Sequence, residues 1–324
     1  MRKMISLFGG LACLLLFFAS GPVQAQFYAY VSPTGIDAAN DCLTAGSPCR
    51  QIYHAMSQIP DAGVVIVAPG EYATFNIGLD NDKAVDVIAP DGQAVINGSS
   101  VAVPGGGNAA IVVQGRPGKG PIRIVGFTLN TGTTGIAIVG NNPRVLIEDC
   151  YISSVNGYGI DFRPSAGSPM LYVNNTHLDR GLGSTGGGGV KVRGTVGSRV
   201  TLEDVRVENN ITGIMIDGTA TTGINKVVIR NSTSVASDTY GLYVIDSGGG
   251  SSSVKIEDSE FSNNTNQGIV VSGANAVVRI ANSSISNNVR GLLPAASGKI
   301  ISQGGNVVAG NTVDGAFTSS LPFK

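Results

Sequence analysis

Two short strings set charges at alternate positions, Asp161-Phe162-Arg163 and Lys191-Val192-Arg193, and a third, Ile216-Asp217, repeats half of the pattern. In an extended strand successive side chains point to opposite faces. The apolar middle residue is therefore expected to face a core and the charges to face outward together. Tyr243 falls at a matching interval beyond Asp217, with Asp246 nearby. If the strands lie side by side, Asp161, Arg163, Lys191, Arg193, Asp217 and Tyr243 make one patch. Guanidinium forks and carboxylates hydrogen-bond sugar hydroxyls and acid groups, and a tyrosine ring offers a stacking face. The chemistry this suggests is binding of an extended polysaccharide. A plainer reading of the same residues pairs Asp161 with Lys191 and Arg193 with Asp217 as solvated ion pairs, contributing about 0–1 kcal/mol each.

Catalytic readings are weaker. Glycoside hydrolysis needs two carboxyl groups about 5 or 6.5–9.5 Å apart. Asp161 and Asp217 lie two strands apart, roughly 10 Å at the backbone, which approaches the inverting range. Lys191 or Arg193 could serve as the base of a lyase, but no neighbour in the sequence activates either. Two oxygens on one calcium ion lie within about 5 Å of each other, and Asp161 and Asp217, with Lys191 between them, do not meet that limit. The column Glu148, Glu203, Glu257 is interrupted by Asn174 and Arg230. Of the two histidines, His54 falls in a short helical stretch and His177 faces outward between Tyr151 and Arg206 on another face. No catalytic residue, metal or cofactor is assigned.

These residues sit within a repeat. The segments VLIEDCYIS (145–153), LYVNNTHLD (171–179), VTLEDVRVE (200–208), VVIRNSTSV (227–235), VKIEDSEFS (254–262) and VRIANSSIS (278–286) align directly. Their central residues Ile147, Val173, Leu202, Ile229, Ile256 and Ile280 are spaced by 26, 29, 27, 27 and 24. Two residues later stands Asp149, Asn175, Asp204, Asn231, Asp258 or Asn282, then Gly-Ile, Gly-Val or Gly-Leu from Gly159 to Gly291. A fixed period with alternation of two is the mark of a β-solenoid. Each coil is expected to have three short strands and to cohere only by stacking on its neighbours.

On these residues the chain resembles the right-handed parallel β-helix, or pectin-lyase-like, superfamily from about Val64 onward. The resemblance implies an all-β, single-stranded right-handed parallel β-helix, with the Asp/Asn column stacked in a tight bend. It also implies a substrate groove on the face of the third strand, where the charged patch falls. Departures matter: the Asn-Thr-Asp, Asp-Asp, His-Gly and Arg-Ile-Lys segments of polygalacturonase-like members do not occur, nor does the calcium cage of pectate lyases.

The ends read differently. Arg2 and Lys3 before the apolar run Ile5 to Phe18, with Val23-Gln24-Ala25 after it, form a signal-peptide pattern over 1–25, and the mature protein is expected to be exported and not membrane-spanning. Residues 26–62 form an N-terminal cap. It carries a short helix begun by Ser47 and Pro48, with Ile52, Ala55, Met56 and Ile59 on one stripe, and a loop closed by a Cys42–Cys49 disulfide, expected of an exported protein. Coils fill 63–312, and 313–324 cover the other end. Cys150 is expected to be a buried free thiol. A formal net charge of -1, 13% charged residues and no Lys/Arg run argue against nucleic acid. A monomeric glycan binder is the reading that follows. A polysaccharide lyase or glycoside hydrolase, or a structural or adhesive surface protein, are the alternatives.

Overall fold

The computed structural model describes residues 26–98, 100–130, 132–181 and 187–321 of the 324-residue chain; the expected signal peptide lies outside them. Short strands wind into coils that build three sheets of 12, 10 and 10 strands, parallel throughout except for one short strand, Val101–Ala102, at the third. The first, second and third strands of each coil enter separate sheets. The protein is a right-handed parallel β-helix with one short helix. The aligned centres lie one above another: Ile147 pairs with Val173, Val173 with Leu202, Leu202 with Ile229, Ile229 with Ile256 and Ile256 with Ile280. All six are fully buried. Phe75, Phe127, Phe162 and Phe261, from the second and third strands, are buried in the same core. Each buried aliphatic side chain contributes about 1.5–3 kcal/mol, offset by ordering the backbone that carries it.

Two bends per coil explain the polar punctuation. The first lies between the first and second strands and is two residues long. Asp149, Asn175, Asp204, Asn231, Asp258 and Asn282 hold it with φ between 43° and 54°, a left-handed conformation these residue types tolerate. Their side chains are exposed. Asn175 Nδ2 donates to Asp149 Oδ1 at 2.7 Å, one rung of the expected ladder, but the longer ladder is built one residue later, where the small side chains turn inward. The amides of Val205, Ser232 and Ser259 donate to the hydroxyls of Ser232, Ser259 and Ser283 at 3.1–3.2 Å. Cys150 occupies this column, buried, with Sγ 3.2 Å from the Glu148 carbonyl, and burial pushes its thiol up to about 12. The second bend, after the second strand, carries the Asn-Asn pairs 209–210, 263–264 and 287–288 and buries the second member of each. Asn264 and Asn288 donate in turn to Asn288 Oδ1 and Asn311 Oδ1 at 3.0 and 2.9 Å.

The ends are closed by strands as well as by the helix. Tyr28–Val31 pairs in parallel with Val64–Val67, and Ser319–Ser320 pairs with Ile301 and Ser302. The helix spans Ile52–Gln58, later than its expected start. Ser47 closes a turn onto the Thr44 carbonyl at 3.0 Å, and the Cys49 amide donates to Tyr30 at 2.8 Å, which holds this segment extended. The helix entrance is satisfied from a distance, since Asp37 Oδ1 accepts from the amides of Arg50 and Gln51 at 2.8 and 3.1 Å. Ile52, Ala55 and Met56 face the core as their spacing requires. Cys42 and Cys49 form the disulfide. No helix among the described residues is long and apolar enough to cross a membrane.

Candidate functional site

The third strands Tyr158–Ala166, Gly188–Arg193, Thr212–Asp217 and Tyr240–Ile245 carry the charged patch. Ile160, Phe162, Val190, Val192, Ile214, Ile216, Leu242 and Val244 alternate with it and are buried, so the polar residues between them must face out. One outward row reads Ala137, Asp161, Lys191, Met215, Tyr243, Val270, Leu293, each in register with the next. A second contains Arg193, Asp217, Ile245 and Ser272, with Arg163 beside Val139 at its upper end.

The contacts differ from the side-by-side pairs expected. Arg193 reaches diagonally to Asp161, Nε and Nη2 donating at 3.0 and 2.7 Å, while Lys191 Nζ lies 3.6 Å from Asp217 Oδ2. An arginine has the length to span the diagonal of the sheet and to grip both oxygens of a short carboxylate, which a lateral lysine cannot do. Asp161 is also not on an open face. It is 4% exposed, with Arg163 Nε 3.5 Å away on its other side. The strand Val101–Ala102, antiparallel to Asn108–Gly115, folds over the sheet above it and buries Val112, Ala137 and Val139. Arg163 Nη2 is anchored to this cover by donating to the Gly106 carbonyl at 2.8 Å. Burial lowers the Arg163 pKa from its ordinary value, and the hydrogen bond to Asp161 raises that of Arg193. Asp246 belongs elsewhere: it is buried in the turn after the third strand and offers nothing to the patch.

Tyr158 joins the patch without having been singled out in the sequence. Its ring lies under Lys191 Nζ, 5.4 Å from the centroid, and its hydroxyl contacts Met215 Sδ at 3.4 Å. Gly188 makes room for it, since a Cβ there would sit 2.5 Å from Tyr158 Cε1. Burial first, and the Asp161 charge next, push its phenol up to about 12. Tyr240 and Tyr243 stack at 4.8 Å between centroids, half-buried at the lower end of the patch. Beside it opens a cleft of about 290 Å³ lined by Arg163, Arg193, Asp217, Thr195, Thr219 and neighbouring small residues.

Neither carboxylate of the patch is free. Asp161 is held by two guanidinium groups, and Asp217 accepts from the Thr219 hydroxyl at 2.6 Å and its amide at 3.2 Å. His177 is remote, on the second sheet between Tyr151 and Arg206, with Nε2 2.6 Å from Glu208. The closest approach to a metal-ligand grouping among the described residues is Cys42, Cys49 and His54, and both sulfurs are spent in the disulfide.

Among solved structures the chain is similar to pectate lyase Pel9A, with a TM-score of 0.67 at 17% identity over 90% of this chain and 79% of that one. Weaker likenesses are to the periplasmic alginate epimerase AlgG (TM-score 0.46, 10% identity, 80% and 76% covered) and to a lacto-N-biosidase from Eubacterium ramulus (TM-score 0.45, 12% identity, 92% and 67% covered). At such identities the likeness is one of fold. No curated protein sequence matches the chain. The model of the right handed beta helix region covers residues 134–313, more than half of the chain and all of the charged patch. The chain therefore belongs to the right handed beta helix family.

Proposed function

We propose that the third-sheet face binds an extended polysaccharide outside the cell or in the periplasm. The observation that carries this reading is the continuity of the cleft with the patch: Arg163 and Arg193 flank the cleft, and the rings of Tyr158, Tyr240 and Tyr243 lie along the same sheet. Guanidinium groups and ring faces together suit a chain of sugar rings bearing hydroxyl or acid groups. Likeness in fold to a pectate lyase points the same way. Export is supported by the basic and apolar leader pattern and by the disulfide, a bond that persists in oxidising compartments. Binding without turnover is favoured because both carboxylates are engaged as ion-pair or turn partners.

Affinity electrophoresis through gels cast with neutral and acidic plant and bacterial polysaccharides, run beside an assay for released sugar, tests this. At least one polymer is expected to retard the protein without product. Arg193→Ala and Tyr243→Ala should each weaken that retardation about 3- to 10-fold, with a native circular dichroism spectrum. Retardation by no polymer would end the reading. Product release abolished by Asp217→Ala or Lys191→Ala would replace binding by catalysis.

A further inference from the structure

A second surface lies on the first sheet, on the other side of the loops that follow the third strands, and it is basic. The row that opens the first strands runs Arg144, Met170, Arg199, Lys226, each in register with the next. Among the described residues many cations are matched: Arg123 with Glu148, Arg230 with Glu203, Lys255 with Glu257, Arg206 with Glu208. Arg144, Arg199 and Lys226 are exposed, and no side-chain hydrogen bond or carboxylate within 4 Å is found for them among the described residues. Arg199 and Lys226 are direct neighbours, about 5 Å apart at the backbone. Like charges facing each other across a ladder are unfavourable, and an anion laid between them relieves that repulsion.

The row borders a cleft of about 260 Å³ lined by Ser168, Pro169, Ser198, Arg199, Ile224 and Lys226, with glycines between. Ile224 and Met170 are 49% and 37% exposed beside the cations. Hydroxyl groups, bare backbone and two aliphatic side chains next to unmatched cations fit a chain of sugar rings carrying carboxylate or sulfate groups. The row has no aromatic side chain on which a nucleic-acid base would stack.

We infer that this edge is a separate binding strip for an acidic polysaccharide running along the solenoid axis. It does not depend on what the third-sheet face binds. The full-length mature protein is tested against polygalacturonate, dextran and oligo(dT) by affinity electrophoresis and by titration at low and moderate salt. Polygalacturonate should bind, weaken steeply with salt, and weaken at least about tenfold in the Arg199→Glu/Lys226→Glu double variant. The charge-matched double variant Arg50→Glu/Arg290→Glu should retain it, with both variants folded by circular dichroism. An equal loss in both double variants would reduce the effect to net charge and overturn the strip. So would unchanged binding in Arg199→Glu/Lys226→Glu, no binding to polygalacturonate by the wild type, or tighter binding to oligo(dT) than to polygalacturonate at the same salt.

Discussion

At the scale of single residues, the side chains that matter are those whose environment contradicts their polarity. Asp246 is 2% exposed, and among the described residues neither of its oxygens has a partner in hydrogen-bonding geometry. Burial raises its carboxyl above the usual range, which the nearby Ser252 hydroxyl and Gly248 amide offset in part. A carboxyl whose folded pKa is raised binds more protons in the native state than in the unfolded one, so stability falls as pH rises from the ordinary carboxylate range through the raised value. The cost is absent below the ordinary carboxylate range and grows as the pH rises above it. Asp246→Asn removes the charge while keeping the shape, and is expected to raise the melting temperature at pH 7 by about 2–4 °C. The gain should vanish when both proteins are melted near pH 3.5, and a drop at pH 7 would show that the charge is compensated. Asp161 is the contrasting case, equally buried but gripped by Arg193. Its burial was not legible in the sequence, because Arg193 reaches it from the next coil and Arg163 beside it is anchored to the Gly106 carbonyl, 57 positions earlier. Tyr158 was missed for a local reason: it stands before Gly159, outside the alternating charged strings that marked the other members.

At the scale of elements, the bends divide their labour in a way the residue types alone do not display. The Asp/Asn column and the Asn-Asn pairs look equivalent in sequence. In the structure the first contributes a left-handed backbone with exposed side chains, of which Asn175 and Asp149 are joined, and the second contributes buried amides that join one coil to the next. Asn288 shows the difference, its side chain donating to the carbonyls of Phe261 and Ser286 at 3.1 and 2.9 Å and to Asn311 Oδ1, and accepting from the Asn264 amide at 2.9 Å. Asn288→Ala leaves those groups buried without partners and is expected to cost about 2–4 kcal/mol in urea titrations. Asn282→Gly, at φ 47° with an exposed side chain, should lie within about 0.5 kcal/mol of wild type. Equal effects of the two would mean that the inner ladder adds nothing beyond its bend. The helix start shows the same limit. Ser47-Pro48 is a sound local signal for a helix entrance, yet pairing of the adjacent segment with the first strand took precedence.

At the scale of the whole molecule, a solenoid has only neighbours along its axis, so its weak places are its ends. The N-terminal cap is secured by the Cys42–Cys49 bond, which closes a loop of 7 residues' separation and on chain-entropy grounds stabilises by about 2–3 kcal/mol. In the Cys42→Ser/Cys49→Ser variant the cap should open before the coils. Hydrogen exchange is expected to speed up over Tyr28–Val31 and Ile52–Gln58 while the strands from Ile122 onward keep their protection. Uniform acceleration along the chain would show that the cap and coils unfold as one unit. Stacking also explains how the basic strip arises in a chain of net charge -1: Arg144, Arg199 and Lys226 come from separate coils, so no run of cations marks them in the sequence.

The sequence by itself determined the repeat, because core-facing aliphatic residues must return at the length of one coil, and that return specified the solenoid, its three strands and the stacked centres from Ile147 to Ile280. It also carried the outward rows of the third sheet, since alternation along a strand is local. Tertiary structure alone decided which charges pair, which are covered and which stay unmatched. Those outcomes depend on how far a side chain reaches across a coil spacing and on segments distant in the chain that fold over it, and neither leaves a periodic trace.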